Sequence, residues 1–497
     1  MKELNKYIDF VTSVSRNNSG VLQKIIGNDD SKKMFRLAHG FYDKSFENDA
    51  QAMQSLYGNQ KKSASYRKLK SRLKDRLTDL IFLQDAARSM KFPVDRSLLQ
   101  AQRKIYAAQT LIMRDQRNAA LTLLKPAFYS SVHFNHTHLA LQACRLLCTH
   151  YAIAGNKKKW NYFSSSFVEL MALNTAEAEM HYLYCDTLVH IVHVIEYSRE
   201  EQKMLRNSYI KAKKLYERFT SHFITIYYFR LAVYYYHSRL QFNKVIKLCK
   251  QGIAYLDAHP QFYQLTRAGE FLLMELESCL LLREFNRGRE CVERLQLHFL
   301  PHSSPWVVFQ AQYFLLAMRT GNYQEALEIF YKVNPQNRKL SKIQQERWHI
   351  YEAYLNFALP DKFIIKQFNI FRFLNDVPLT SRDKTGYNFS ILVAQIILLV
   401  NMKETERLYD LKQSFRLYLY HYIKKNKHPR HYHFGRMLRF LFSYNFNPAK
   451  AAQKVKPYLI NLQEQKKDKL NILEETEIIP YETLWVMLMN KFVTKKR

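Results

Sequence analysis

The sequence predicts an all-α protein built from repeated helix pairs, and three observations carry that reading. Apolar residues recur at three- and four-residue steps nearly throughout, residues that make tight turns are scarce, and polar or helix-breaking positions return about every forty residues. Glycine and proline number 11 and 12 in 497 residues, against average usage of roughly 7% and 5%. A chain so short of glycine can hardly supply the many reverse turns of a large β-sandwich, barrel or propeller, or the glycine-rich phosphate loops of nucleotide-binding folds. With 47% hydrophobic residues it has ample material for a core.

Residues 1–94 stand apart from the repeating pattern and read as an N-terminal helical segment. The opening, MKELNKYIDFVTS, alternates charged and apolar positions without leading into an apolar run, so no targeting segment is expected. Short helices are expected over Met34–Lys44 and Asn48–Leu56. The turn Tyr57-Gly-Asn-Gln-Lys-Lys62 then leads into a longer helix from Ser63 to about Met90. Along it Tyr66, Leu69, Leu73, Leu77 and Leu80 form an apolar seam. Arg67, Lys70 and Lys74 flank it on one side, and Lys68, Arg72 and Arg76 on the other. With Lys61 and Lys62 these are eight basic residues against one acid, Asp75. Two readings stay open: a helix-turn-helix whose second helix enters a DNA groove, and a basic helical cap on the repeats that follow.

Residues 95–465 carry the repetition. In Thr110–Phe128, the apolar Leu111, Ile112, Ala119, Ala120, Leu123, Leu124 and Phe128 keep the helical step. Pro126, Gly155, Pro260, Pro301, Pro305, Gly321, Pro335, Pro360, Pro378, Pro429 and Pro448 are expected to separate helix pairs. The clearest unit is Gly321-Asn-Tyr323-Gln-Glu-Ala326-Leu-Glu-Ile-Phe330-Tyr-Lys-Val333. A glycine ends one helix, an aromatic packs across the turn, and a small residue lets the second helix approach. Weaker echoes occur at Phe242, Val245, Cys249 and Gly252, at Phe285, Gly288 and Val292, and at Arg117, Ala120, Leu124 and Ala127. This unit resembles the second half of a tetratricopeptide repeat, and Phe229, Ala232 and Tyr236 suit that family's first helix. Phe314 departs from it, standing where the family has a small residue. The resemblance implies a helix-pair solenoid with irregular repeats of about 38–43 residues, presenting an extended concave surface. Second-helix starts near 117, 157, 242, 285 and 323 imply further starts near 200, 362, 402 and 446. An aperiodic helical bundle is the alternative. The runs Tyr227-Tyr228-Phe229 and Tyr234-Tyr235-Tyr236 read as interior rings, with a base-stacking platform as the functional alternative. Residues 466–497 read as a C-terminal capping helix and basic tail.

Charge narrows the function. Lysine and arginine total 76 against 43 acids, for a formal net charge of +33. A field of that size attracts polyanions unless something neutralises it. Residues 116–168, 218–256 and 411–463 contain no acid. The last window holds Lys424, Lys425, Lys427, Arg430, Arg436, Arg439, Lys450, Lys454 and Lys456, with Tyr418, Tyr420, Tyr422 and Tyr432 among or beside them. Cations for phosphates and rings for bases are what a nucleic-acid groove requires. Lys157, Lys158 and Lys159 form a smaller candidate cluster.

His133, His136 and His138 share their spacing with His428, His431 and His433. Three imidazoles could hold zinc, but no acid lies near either cluster in sequence and the flanking lysines disfavour a dication, so no metal is expected. No GxxxxGK, GxSxG or HExxH motif occurs. The six cysteines include no CxxC pair and lie in apolar helical stretches, which suits a reducing cytoplasm. The longest uncharged apolar run, Phe389 to Val400, is too short to cross a bilayer and reads as a buried helix.

The expectation is therefore a cytoplasmic, non-enzymatic scaffold without cofactor, membrane partner or small-molecule substrate. Its partner is anionic, nucleic acid first. The alternatives are an adaptor that docks an acidic peptide or subunit in the concave groove, and a transcription regulator with an N-terminal DNA-binding helix and a helical-repeat sensor.

Overall fold

The computed structural model describes residues 4, 6–8, 31–58, 63–83, 90–191, 198–263, 265–333, 340–359, 387–402, 404–425, 429–464 and 476–493. Among these, the regular structure is entirely helical. The helices are α1 (Ser31–Tyr42), α2 (Asp49–Tyr57), α3 (Ser63–Leu83), α4 (Pro93–Met113), α5 (Arg117–His133), α6 (Thr137–Ile153), α7 (Lys157–Ile191), α8 (Arg199–Arg218), α9 (His222–Ser238) and α10 (Phe242–Ala258). A 3-10 turn at Pro260–Phe262 follows, then α11 (Leu265–Leu282), α12 (Phe285–His298), α13 (Ser304–Arg319), α14 (Tyr323–Val333) and α15 (Lys342–Ala358). The last five are α16 (Tyr387–Met402), α17 (Thr405–Tyr422), α18 (Pro429–Ser443), α19 (Pro448–Glu464) and α20 (Tyr481–Val493).

The chain packs as two compact units. The first comprises Met1–Glu179 with Ser221–Phe223 and His259–Tyr263. It holds two separate hydrophobic clusters. In one, the seam Tyr66, Leu69, Leu73 and Leu77 of α3 is buried with Leu37, Ala38 and Phe41 of α1 and Ala52 and Leu56 of α2. Asp49 fastens this corner, accepting hydrogen bonds from the Tyr66 hydroxyl (2.7 Å) and the Lys70 ammonium (2.9 Å). In the other, α4, α5, α6 and the start of α7 meet through Ala101, Ile105, Ala120, Leu124, Ala143 and Phe163. Alanines at these contacts allow close helix approach. The α3 seam thus faces its own small core.

The second unit comprises Met180–Thr220, Ile224–Ala258 and Gln264–Arg497. Within it α10 packs on α11, α11 on α12, α12 on α13, α13 on α14, and so on through α19 and α20, while α11 also reaches α13 and α16 reaches α20. Glycines at Gly252 and Gly288 sit where a methyl group would press into the Phe271 ring or Leu316. The stretch Phe389–Val400 of α16 is buried on all sides, as its uniform apolarity predicts. No helix among the described residues is long and apolar enough to cross a membrane.

The turns between helices share one geometry. The N–H groups of Gln116, His136, Asn156, Gln241, Glu284, Asn322, Glu404 and Phe446 each reach back five residues to a helix carbonyl. In seven of these turns the preceding residue, among them Asp115, Asn135, Gly155, Leu240, Arg283 and Gly321, has positive φ. This is the Schellman closure, in which one left-handed residue satisfies the last carbonyls of a helix. The next helix then starts within a residue or two, at 117, 137, 157, 242, 285, 323, 405 and 448.

Helix starts at 117, 157, 199, 242, 285, 323, 405 and 448 meet the expected series, and Ser198 closes a capping box with Glu201 at the one implied near 200. The start near 362 lies outside the described residues, as do Pro335, Pro360 and Pro378. Three expectations are corrected. The step through Thr110–Phe128 is interrupted by a turn at Arg114–Gln116, with Asp115 at φ 60°. Pro126 lies inside α5 instead of ending a helix. The helix from Lys157 continues unbroken for 35 residues to Ile191, because nothing between Gly155 and the end of α7 is glycine or proline.

Candidate anion-binding surface

The acid-free window 411–463 covers the last three turns of α17, all of α18 and all of α19 but its final residue; the first turns of α17 carry the exposed acids Glu406 and Asp410. Leu408 and Phe415 of α17, Phe434, Met437, Leu438, Leu441 and Phe442 of α18, and Ala451, Val455 and Leu462 of α19 are buried. Pro429 starts α18 and Pro448 starts α19, where a missing N–H costs nothing. Asn447 caps α19 by accepting the Lys450 N–H at 3.2 Å. At Gly435 the two helices α17 and α18 come close enough that a Cβ would lie 2.5 Å from Leu419.

With the apolar faces turned in, basic and aromatic residues face out. Lys412, Arg416, Tyr420 and Lys424 follow one turn apart along α17 and just past its end, all exposed. Tyr420 is 75% exposed, and the Lys424 ammonium lies 5.8 Å from its ring centre. On α18 the Arg436 guanidinium sits 5.9 Å from Tyr432, 5.8 Å from Phe440 and 5.9 Å from Tyr458 of α19. Its buried Nε has no hydrogen-bond partner among the described residues. Lys450 and Lys454 precede Tyr458 on α19 at one-turn steps and are exposed. Burial, with the like charges of Arg436 and Arg416, holds the Arg439 guanidinium below its ordinary range. No ion pair among the described residues reaches Arg416, Arg436 or Arg439. The Arg439 guanidinium therefore meets two like charges, Arg436 and Arg416, with no ion pair to offset them among the described residues.

Arg430, predicted as part of this basic surface, lies inside instead. It is 7% exposed. Its Nε and Nη2 donate to the two carboxylate oxygens of Glu477 at 2.7 and 2.6 Å, Nη2 also to Glu482 at 2.7 Å, and Nη1 to the Leu462 carbonyl at 3.0 Å. The neutralising acids come from the C-terminal segment, beyond the acid-free window. Arg319 donates to the Glu477 carbonyl and Ser390 to the Thr476 carbonyl, pinning the same segment. Burial alone would raise the Glu477 carboxyl, but Arg430 and the Tyr481 N–H hold it below the usual carboxylate range.

The other predicted residues are dispersed. Lys425 is exposed, while Lys427 and His428 lie outside the described residues. On α3, Arg67, Lys68, Arg72, Lys74 and Arg76 are exposed on both flanks of the buried seam. Lys70 is tied to Asp49 and half-buried, and Lys61 and Lys62 lie outside the described residues. Lys157, Lys158 and Lys159 are exposed at the first turn of α7, where the helix dipole disfavours cations. Burial, with Arg117, Lys125 and Lys159 nearby, lowers the pKa of His150. A shallow hollow of about 380 Å³ in the second unit is lined by Lys247, Lys250 and Arg287. Glu275 pairs with Lys250 and Glu284 with Arg287, so its charge is answered locally.

Among the described residues, the histidines of the two clusters lie in different surroundings. His136 is buried with Nε2 3.2 Å from the Val94 carbonyl, while His133 and His138 are exposed. His431 is buried beside Thr476 Oγ1 at 3.2 Å, and His433 is buried near Tyr458. Among the described residues no three His, Cys, Asp or Glu side chains are grouped to hold a metal ion.

In the two aromatic runs of α9, Phe229 is buried and Tyr227, Tyr228, Tyr234, Tyr235 and Tyr236 are partly buried. Tyr228 stacks on Tyr216 at 4.3 Å and Tyr235 on Tyr209 at 4.7 Å, both rings of α8. Arg230 lies over Tyr184 and Tyr227 at 5.0 and 5.2 Å and pairs with Glu270. Their faces are thus occupied by one another. Sequence reasoning missed Arg416, which lies in the acid-free window one turn before Tyr420; that one-turn step was the available signal. Compared with known protein families, curated proteins and solved structures, the chain has no match.

Proposed function

We propose that the chain is a cytoplasmic, non-enzymatic scaffold of tetratricopeptide-like helix pairs that binds an anionic partner, nucleic acid first. The observation that carries this is the grouping of Arg416 and Arg436 about Arg439, three guanidiniums with no paired acid among the described residues, within the acid-free stretch 411–463. Phosphates neutralise such a face with little dependence on base sequence. The repeated Schellman turns, the packing of α4 on α5 and α5 on α6, and the succession of neighbour contacts from α10 to α20 support the solenoid reading. Six free thiols suit a reducing compartment.

A second reading, a regulator that binds duplex DNA through α3, is favoured by the exposed basic flanks of that helix. Charge reversal separates the two. Lys412→Glu with Arg416→Glu and Lys424→Glu should lower nucleic-acid affinity by at least tenfold, each lost phosphate contact also reducing the salt dependence by about one unit. Lys68→Glu with Arg72→Glu and Arg76→Glu should leave it largely unchanged. The opposite pattern would move the function to the N-terminal helix, and a partner that proves to be an acidic protein would replace nucleic acid altogether.

A further inference from the structure

Resting on that reading, we infer that the nucleic acid held by α17–α19 is single-stranded. The argument begins with Tyr420. It is the most exposed tyrosine on α17, at 75%, and stands one turn after Arg416 and one turn before Lys424. Its ring is bracketed by cations on one helix ridge, with the Lys424 ammonium 5.8 Å from its centre. An exposed ring gains little from water and nothing from a duplex backbone, whose bases are stacked away inside. An unpaired strand offers both parts at once: phosphates for Arg416 and Lys424, and a base face for the ring between them.

Neighbouring helices extend the same alternation. Arg436, held among the rings of Tyr432, Phe440 and Tyr458, presents a cation at a fixed place near Arg439, which Arg416 also approaches. Lys450 and Lys454 lead up to Tyr458 on α19. Tyr228 and Tyr235 of α9 offer no equivalent, because their rings already stack on Tyr216 and Tyr209, while Tyr227 and Tyr234 lie against Tyr184. The α17 ridge is thus where ring and cation are both available to a strand.

The test uses the full chain, fluorescence anisotropy, and labelled oligouridylate, oligothymidylate and a mixed-sequence duplex of equal length. Single strands should bind at least about tenfold more tightly than the duplex, and Tyr420→Ala should weaken single-strand binding by about tenfold while leaving duplex binding unchanged. Tyr420→Phe, which keeps the ring, should restore the wild-type affinity. Equal affinity for duplex and single strands, with no effect of Tyr420→Ala, would overturn the single-strand inference while leaving the anionic-partner reading intact. Absence of binding to every probe at physiological salt would overturn both. Because Tyr420 is exposed, its replacement leaves the core untouched, and a wild-type melting curve for the variant confirms this.

Discussion

Arg430 shows how far one residue's role depends on distant chain. In sequence it belongs to a basic run; in the fold it closes a buried cluster with Glu477 and Glu482. Removing one partner of such a pair leaves a buried charge uncompensated, so Arg430→Met should destabilise the protein by about 3–5 kcal/mol, and the Arg430→Met/Glu477→Met double variant by much less. Urea unfolding of the single and double variants measures both. The pH dependence follows from Glu477. Its folded pKa lies below the ordinary carboxylate value, so its stabilising contribution is complete above that value and is lost as pH falls through the folded pKa. In Arg430→Met, burial without the guanidinium raises the Glu477 carboxyl instead. The stability gap between wild type and Arg430→Met should therefore narrow as pH falls from the variant's raised Glu477 pKa, above the ordinary carboxylate value, to the lowered wild-type one. A gap constant from neutral pH to acid would contradict this account of the cluster.

Helices and turns divide sharply in how much the sequence reveals. Starts at Lys157 and Tyr323 follow glycines at φ 64° and 80°, and the capping box at Ser198 is written in four residues. The turns at Asp115, Leu240 and Arg283 adopt the same left-handed geometry without glycine, so a search for breakers passes over them. The packing of adjacent helices compensates the strain there. Glycine at such positions removes the Cβ clash, and Leu240→Gly should stabilise by about 1 kcal/mol, while Gly321→Ala should destabilise by a similar amount. Shifts in the urea midpoint report the sign directly; destabilisation by Leu240→Gly would show that the Leu240 side chain contributes more than its backbone strain costs. The α17–α19 surface was legible as composition, since an acid-free stretch of lysine, arginine and tyrosine is visible in one dimension. The burial of Arg430 was not, because Glu477 and Glu482 lie some fifty positions further along. Arg416 falls between, readable only by stepping one helical turn back from Tyr420.

At the scale of the whole molecule, 76 basic residues face 43 acids, so even complete ion pairing would leave the net charge of +33. Arg230 with Glu270, Lys250 with Glu275 and Arg430 with Glu477 are local neutralisations. The basic ridge of α17 has none among the described residues. Like charges gathered on one face raise the free energy of the unbound protein and favour association with a polyanion. Releasing counterions from that partner makes the affinity fall with salt in proportion to the phosphates contacted. The most direct test is therefore the affinity of the full chain for a labelled single-stranded oligonucleotide, measured by anisotropy from low to physiological salt. The account predicts a linear log–log dependence with a slope of about −3 or steeper, corresponding to four or more phosphate contacts. Affinity that does not change with salt, or no binding at physiological salt, would contradict it.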